Sequence, residues 1–288
     1  MDFLSPTTLA EALEAKAERP EALPIMGGTD VMVEVNFGRR RPAALLDLTK
    51  VPELAEWGRD DGVLRVGAGV TYTRVIEELG RLLPGLAIAS RTVGSPQIRN
   101  RGTVGGNLGS ASPAGDAHPP LLAAGAEVEV ASARGRRTVP VEEFFIGPKR
   151  NVLAPDELVL AFRSRPAAGP EQFCKVGTRN AMVIAVASFS LALDPAERRV
   201  GTGIGSAAPT PRRAKEAEAF LEDELAEDDL WGMPRALGPQ VVNRFSELVV
   251  LAASPIDDVR GTAAYRKHAL GVMARRALCW AWDEYQRS

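Results

Sequence analysis

The chain has 288 residues, enough for two or three domains with cores of their own. Its 45% hydrophobic and 25% charged residues are ordinary for a globular protein, and 35 Lys+Arg against 37 Asp+Glu leave a net charge of −2, which argues against a dedicated nucleic-acid binder. No apolar run of about eighteen residues is present to span a membrane, the N-terminus lacks the basic region and apolar core of a signal peptide, and the expected setting is a reducing cytoplasm.

In chain order, Ser5-Pro6 reads as a helix opening, Ser as cap and Pro in the first turn, ahead of a helix over Thr7–Ala17 with Leu9 and Leu13 one turn apart. Leu23–Met26 is a short buried strand ending in Gly27-Gly28. Thr29-Asp30 is placed to cap a helix carrying Val31, Val33 and Val35, and Ala43–Leu48 is the next strand. Strand, turn, helix and strand in that order are an α/β signature. Val63–Gly69 opens a second unit, and Thr71 caps a helix over Tyr72–Leu79. A helical stretch over Leu86–Val93 leads into RGTVGGNLGSASPAGD, Arg101–Asp116. This segment has no apolar period of either kind and is expected to be neither ordinary helix nor ordinary strand. Pro119–Ala124 is a short helix, Glu127–Ala131 alternates as a strand, and Thr138–Val141 and Glu157–Phe162 add two more.

Arg165–Pro170 has the composition of a linker. Beyond it lie a strand at Phe173–Val176, a long apolar strand at Val183–Leu193 and a Gly-rich strand or turn at Val200–Gly205. Pro211–Glu224 is a charged helix with Ala214, Ala217 and Leu221 on one face. Ala263–Tyr285 is a long final helix with an apolar stripe of Leu270, Met273, Ala277, Trp280 and Ala281.

The chemistry-bearing residues are few. Two cysteines, Cys174 and Cys279, cannot hold an iron–sulfur cluster, which takes about four thiolates. The two histidines, His118 and His268, form no zinc spacing, and no G-x-S-x-G elbow is present. Redox or group-transfer chemistry would have to come from a bound organic cofactor. The P-loop is absent, and neither Gly67/Gly69 nor Gly203/Gly205 completes a Rossmann fingerprint.

Two double-Gly turns remain, Gly27-Gly28-Thr29-Asp30 and Thr103-Val104-Gly105-Gly106-Asn107. Gly permits positive φ and removes the Cβ that would hold a ligand away, and bare N–H groups in such a turn form an anion-binding concavity. For either turn by itself, a tight turn with no ligand is the stronger reading. Together, the second inside a long small-residue stretch ending in Ser112-Pro-Ala-Gly-Asp116, they suit a clamp on a pyrophosphate between two subdomains.

Several motifs in order resemble those of the FAD-binding medium subunit of the molybdenum hydroxylases, the xanthine dehydrogenase and carbon monoxide dehydrogenase family. PIMGGTDVM resembles the first FAD loop, and RTVGSPQIRNRGTVGGNLGSASPAGDAHPPLLAAGAEVEV the second loop with its flanks. RRRPAALLDLTKVPEL matches the linking strand. EQFCKVGTRNAMVIAVASFSLAL, PTPRRAKEAEAFL and AAYRKHALGVMARRAL resemble parts of the C-terminal domain. The resemblance covers essentially the whole chain.

It implies an α+β fold: two α/β FAD-binding subdomains of the p-cresol methylhydroxylase or vanillyl-alcohol oxidase type, residues 1–58 and 59–168, plus a C-terminal α/β domain, residues 169–288. It places Ile25, Met26, Gly27, Gly28, Thr29, Asp30 and Val31 along the pyrophosphate and adenosine side of a non-covalent FAD. Thr103, Gly105, Gly106 and Asn107 would hold the pyrophosphate from the other subdomain. Ser112 and Asp116 would meet ribityl and ribose hydroxyls, and Lys175 would lie close to the flavin. No catalytic residue and no metal ligand is implied.

The partners implied are a large subunit with the molybdenum cofactor and a small subunit with [2Fe–2S] clusters, in a dimer of heterotrimers. FAD would pass electrons from the clusters to an external acceptor such as NAD⁺, oxygen or a quinone. The rival readings are a stand-alone FAD-dependent oxidase of the vanillyl-alcohol oxidase superfamily and a scaffold that has lost FAD.

Overall fold

In the computed structural model, which describes residues 1–288, three separate hydrophobic cores organise the chain. The first unit holds β1 (Asp2–Leu4), α1 (Leu9–Glu18), β2 (Leu23–Ile25), α2 (Val31–Asn36) and β3 (Ala44–Asp47). Its sheet is parallel, in the order β1-β3-β2. Thr8, not Ser5, caps α1, accepting from the Glu11 N–H at 3.2 Å. The apolar period of α1 starts at Leu9, so the cap must stand one residue before it. Asp30 occupies the position before α2 but makes no side-chain cap.

The second unit opens with β4 (Trp57–Asp60), β5 (Val63–Gly67), α3 (Tyr72–Glu78), α4 (Pro84–Arg91), α5 (Pro96–Arg99) and α6 (Val104–Ser110). It continues with α7 (His118–Ala123), β6 (Glu127–Ser132), β7 (Gly135–Pro140), α8 (Val141–Phe144), β8 (Phe145–Gly147), β9 (Arg150–Asn151) and β10 (Leu158–Ser164). Five strands pair antiparallel in the order β4-β5-β10-β6-β7. The central strand serves both cores. Leu158 and Leu160 pack with Leu9, Leu46 and Leu54 of the first unit, and Val159 and Phe162 with the second core. A register shift between Val159 and Ala161 changes the alternation and lets one strand do this.

The third unit holds β11 (Glu171–Val176), β12 (Ala187–Asp194), β13 (Arg199–Gly205), α9 (Lys215–Glu227), α10 (Pro239–Leu251) and α11 (Ala263–Tyr285). One face of its antiparallel sheet carries Phe189, Leu191 and Leu193 into a core shared with Leu221, Phe245, Leu270 and Leu278. Three registered rows make up the other face: Glu171, Ala192, Gly201; Phe173, Ser190, Gly203; and Lys175, Ser188, Gly205. Small residues fill two of its three strands, so α7 lies directly on the backbone of β13. A Cβ at Gly203 would run into the Pro119 carbonyl, and one at Gly201 into that of Ala123. The glycines of Val200–Gly205 are therefore close-approach glycines that dock the third unit on the second.

Four further expectations are corrected. Val104–Ser110 is helical despite its composition. The strand expected from Val183 begins only at Ala187, because the chain first turns through a left-handed Met182 at φ +49°. Trp280 is half exposed, and Trp282 fills the core instead, its Nε1 donating to the Arg235 carbonyl at 2.8 Å. The segment before Lys215 is not helix but an extended approach in which Arg212 bridges Ile204. The strands β1 and β4 and the helix α10 have no counterpart among the expectations. No helix is long and apolar enough to cross a membrane.

Candidate functional site

The two glycine turns meet. A Cβ on Gly27 would run into the Arg101 carbonyl and stand 3.0 Å from the Gly102 Cα, and one on Gly102 would stand 3.4 Å from the Thr29 hydroxyl. Gly28 is left-handed, at φ +73°, a conformation that turns the chain sharply between β2 and α2. Gly69, just beyond β5, packs against the Met26 side chain and lies close to the Leu54 carbonyl. Thr103 bridges Thr71, and the Tyr72 N–H donates to the Gly102 carbonyl at 3.0 Å. Two bends some seventy-five residues apart in sequence thus share one seam between the first and second units.

The seam leads into α6. Thr103 caps it, accepting from the Gly106 N–H at 2.9 Å. Gly105 is buried, and a Cβ there would strike the Ala68 backbone. Gly106 is exposed, and a Cβ there would meet nothing but the Thr103 hydroxyl, at 3.1 Å. One glycine therefore packs the helix down and the other leaves open space where a side chain would stand. The Asn107 Oδ1 accepts from the Ala117 N–H at 3.3 Å, which leaves its amide nitrogen as a free donor.

His118 is fully buried beside Phe145, with ring centroids 4.5 Å apart, and its Nε2 lies 3.0 Å from the Asn107 carbonyl. Burial pushes its pKa down to about 4, so the ring is neutral and donates to that carbonyl. It fastens α7 to α6. At the far end of α6, the Lys149 N–H donates to the Ala111 carbonyl at 3.0 Å, and the Lys149 ammonium pairs with Glu34 of α2. The first and second units are thus tied at the Gly27–Gly102 seam before α6 and through Lys149 and Glu34 beyond it.

Ser112 turns the chain, its hydroxyl accepting from the Ala114 N–H at 3.3 Å. The third unit holds this loop from the other side, the Ser206 N–H donating to the Pro113 carbonyl at 2.8 Å. Buried Arg266 of α11 supports Ser206 in turn, donating to its carbonyl at 2.5 Å and to that of Val186 at 3.0 Å. Asp116 closes the loop. Its Oδ2 accepts from the Lys175 Nζ at 2.6 Å, and its Oδ1 is buried without a protein partner. Burial pushes the Asp116 carboxyl up to about 6 against the opposing pull of the Lys175 ammonium. An ionised carboxylate with one spent oxygen and one orphaned acceptor fits a hydroxyl-bearing ligand.

Glu171 was not among the sequence-derived candidates. Its Oε2 accepts from the Gly85 N–H at 2.8 Å, in the first turn of α4, and burial pushes its carboxyl up to about 7. The alternation of β11 was its available signal, since Glu171 shares a face with buried Phe173. The raised value has a measurable sign. Between roughly pH 4.5 and 7 the folded protein keeps a proton that the unfolded chain has released, so stability from this group is full below that window and lost as pH rises through it. Urea unfolding at several pH values should show the parent losing about 3 kcal/mol relative to Glu171→Gln across that window. Parallel curves for the two proteins would contradict this.

Of the sequence-derived residues, Ile25 through Val31 form the first bend and the start of α2, and Thr103, Gly105, Gly106 and Asn107 begin α6. Ser112 and Asp116 lie in the loop from α6 to α7, and Lys175 reaches them from β11. No cluster of His, Cys, Asp and Glu could hold a metal ion. Cys174 and Cys279 are unpaired.

Comparison with known proteins agrees along the chain. Residues 1–163 match the FAD binding domain in molybdopterin dehydrogenase, and residues 173–281 match the CO dehydrogenase flavoprotein C-terminal domain. The chain is 31% identical over 283 residues to the xanthine dehydrogenase FAD-binding subunit of Escherichia coli O157:H7, covering 94% of this chain and 92% of that one. It is 29% identical over 284 residues to the nicotine 6-hydroxylase medium subunit of Paenarthrobacter nicotinovorans, covering 96% and 95%. In structure it is similar to a chain of carbon monoxide dehydrogenase from Hydrogenophaga pseudoflava, with a TM-score of 0.88 at 26% identity over 99% of this chain and 98% of that one.

Proposed function

The chain belongs to the FAD-binding subunits of the molybdenum hydroxylases, and on that premise we propose that it relays electrons from [2Fe–2S] clusters of a small partner subunit to an external acceptor. A large molybdenum subunit would oxidise the organic substrate, and the whole would assemble in the cytoplasm as a dimer of heterotrimers. The observation that carries this reading is the meeting of the two glycine bends, with the orphaned oxygen of Asp116 in the loop that follows α6. Residues 1–58, 59–168 and 169–288 are the proposed units, supported by the three cores.

FAD supplies a ring that takes up electrons singly or in pairs. The chain's own residues bind and orient it. Backbone N–H groups of the bend from Ile25 to Val31 would meet the diphosphate on the adenosine side. That of Gly105, with the Asn107 amide and the Thr103 hydroxyl, would meet it from the other side without a cationic side chain, while Gly106, whose N–H is held by Thr103, leaves room for the approach. Asp116 Oδ1 would accept from a ribityl hydroxyl, with Ser112 beside it. Lys175 keeps Asp116 charged and fixed, donating also to the Thr92 carbonyl at 3.2 Å. His118, buried and neutral, holds α6 and α7 together and is not available for covalent attachment.

Asp116→Ala should weaken FAD by about 1–3 kcal/mol, the scale of losing one partner of a buried polar group. Titration of the apoprotein, followed by flavin fluorescence, checks this, and an unchanged dissociation constant rejects the contact. The wider reading is tested by purification. A yellow chain that co-purifies with molybdenum and iron–sulfur subunits supports it. Turnover of an alcohol by the isolated chain would favour a self-sufficient oxidase.

A further inference from the structure

We propose that Glu171 is a positioning residue for the cofactor cleft: with Lys175 it clamps α4 at both ends, and the clamp sets Lys175 against Asp116. The inference rests on the FAD reading above. Glu171 and Lys175 stand on the same face of β11, four residues apart, about 13 Å at the usual strand rise. Gly85 and Thr92 bound α4, about 10 Å apart along the helix axis. The strand therefore reaches both ends of the helix at once. The Glu171 carboxylate accepts from the Gly85 N–H at 2.8 Å, and the Lys175 ammonium donates to the Thr92 carbonyl at 3.2 Å. A carboxyl oxygen of Glu171 meets the N–H end of the helix and the Lys175 cation its carbonyl end, both in buried surroundings.

Lys175 is the shared member. The same ammonium that closes the clamp holds Asp116 Oδ2 at 2.6 Å, leaving Oδ1 for the cofactor. Phe173 lies between the two side chains on the same face of β11 and fixes the spacing. Without the Glu171 anchor, β11 can shift along α4, and Lys175 leaves either Thr92 or Asp116. Glu171 touches no cofactor atom in this scheme and acts wholly through Lys175. By linkage, FAD binding must then favour docking of the third unit on the second as much as docking favours FAD.

The test is FAD affinity of the full chain by fluorescence titration, with circular dichroism to confirm folding. Glu171→Ala should weaken FAD about tenfold, the scale of one buried hydrogen bond. Glu171→Leu, which keeps the buried volume and loses the acceptor, should do the same and serves if the Ala variant does not fold. Glu171→Gln keeps an acceptor for Gly85 and should stay within about threefold of the parent. Lys175→Met should weaken FAD, and adding Glu171→Ala to it should cost nothing more, because the path is already cut. FAD should also slow proteolysis within residues 165–170 in the parent more than in Glu171→Leu. Parent-like affinity in both Glu171→Ala and Glu171→Leu, or losses that multiply in the double variant, overturns the proposal. Failure of the unmodified chain to bind FAD would overturn the FAD reading itself, and this inference with it.

Discussion

Gly106→Val is expected to give a folded protein that has lost FAD. A Cβ at this position meets only the Thr103 hydroxyl, at 3.1 Å, and otherwise points into open space. Thr103 must give by a few tenths of an ångström, and Val is no worse in a helix than the Gly it replaces. The apoprotein should therefore melt within a few degrees of the parent. The same branched side chain would stand where the diphosphate must approach the bare backbone, so affinity should fall by at least about 100-fold. The neighbouring change gives the contrast. Gly105→Val drives its side chain into the Ala68 backbone and should fail to fold. Flavin content and melting temperature of the two variants separate these outcomes. FAD binding by Gly106→Val at parent affinity would remove the diphosphate from this place.

Gly203→Val should break the union of the third unit with the second. Its Cβ would enter the Pro119 carbonyl, backbone against backbone, with no flexible side chain to yield. Gly201 repeats the backbone approach at the Ala123 carbonyl, and Gly205 on the same face of β13 lies against the Pro119 ring, so α7 cannot slide to a looser position. Destabilisation of about 3 kcal/mol or more is expected, at the upper end of overpacking effects. Because α7 begins at His118, two residues after Asp116, displacement there also moves the carboxylate away from Lys175. The variant should melt early, and protease should cut between residues 165 and 170 before global unfolding. Melting together with the parent, with the same resistance to cleavage, would show that the sheet does not dock through these glycines.

Much of this was legible in the residues. Thr71 caps α3 as expected, accepting from the Arg74 N–H at 3.3 Å, and the alternation of Glu127–Ala131 marks β6. The glycine pairs named the two bends, because little else explains adjacent glycines beside Thr and Asn. That the bends touch was not legible, since it depends on packing between the first and second units. The helicity of α6 was hidden for a related reason. Three glycines in its seven residues erase the apolar period, and the helix exists because Thr103 caps it and Ala68 supports it from below. Trp280 and Trp282 exchanged places because a straight stripe drifts around a helix of 23 residues, while Trp231 and Tyr285 create a pocket for the second Trp at its end. Glu171 escaped because its partner, the Gly85 N–H, lies eighty-six residues away. The Gly-x-Gly pairs at 67/69 and 203/205 complete no Rossmann fingerprint, and their use as close-contact points for neighbouring groups shows only in three dimensions.

The most direct measurement is a crystal structure of the chain with FAD bound. The diphosphate should lie within hydrogen-bonding distance of N–H groups from both Gly27–Asp30 and Val104–Asn107, with a ribityl hydroxyl on the Asp116 oxygen that faces away from Lys175. A diphosphate held by only one of the bends, or a cofactor seated elsewhere, would contradict the account.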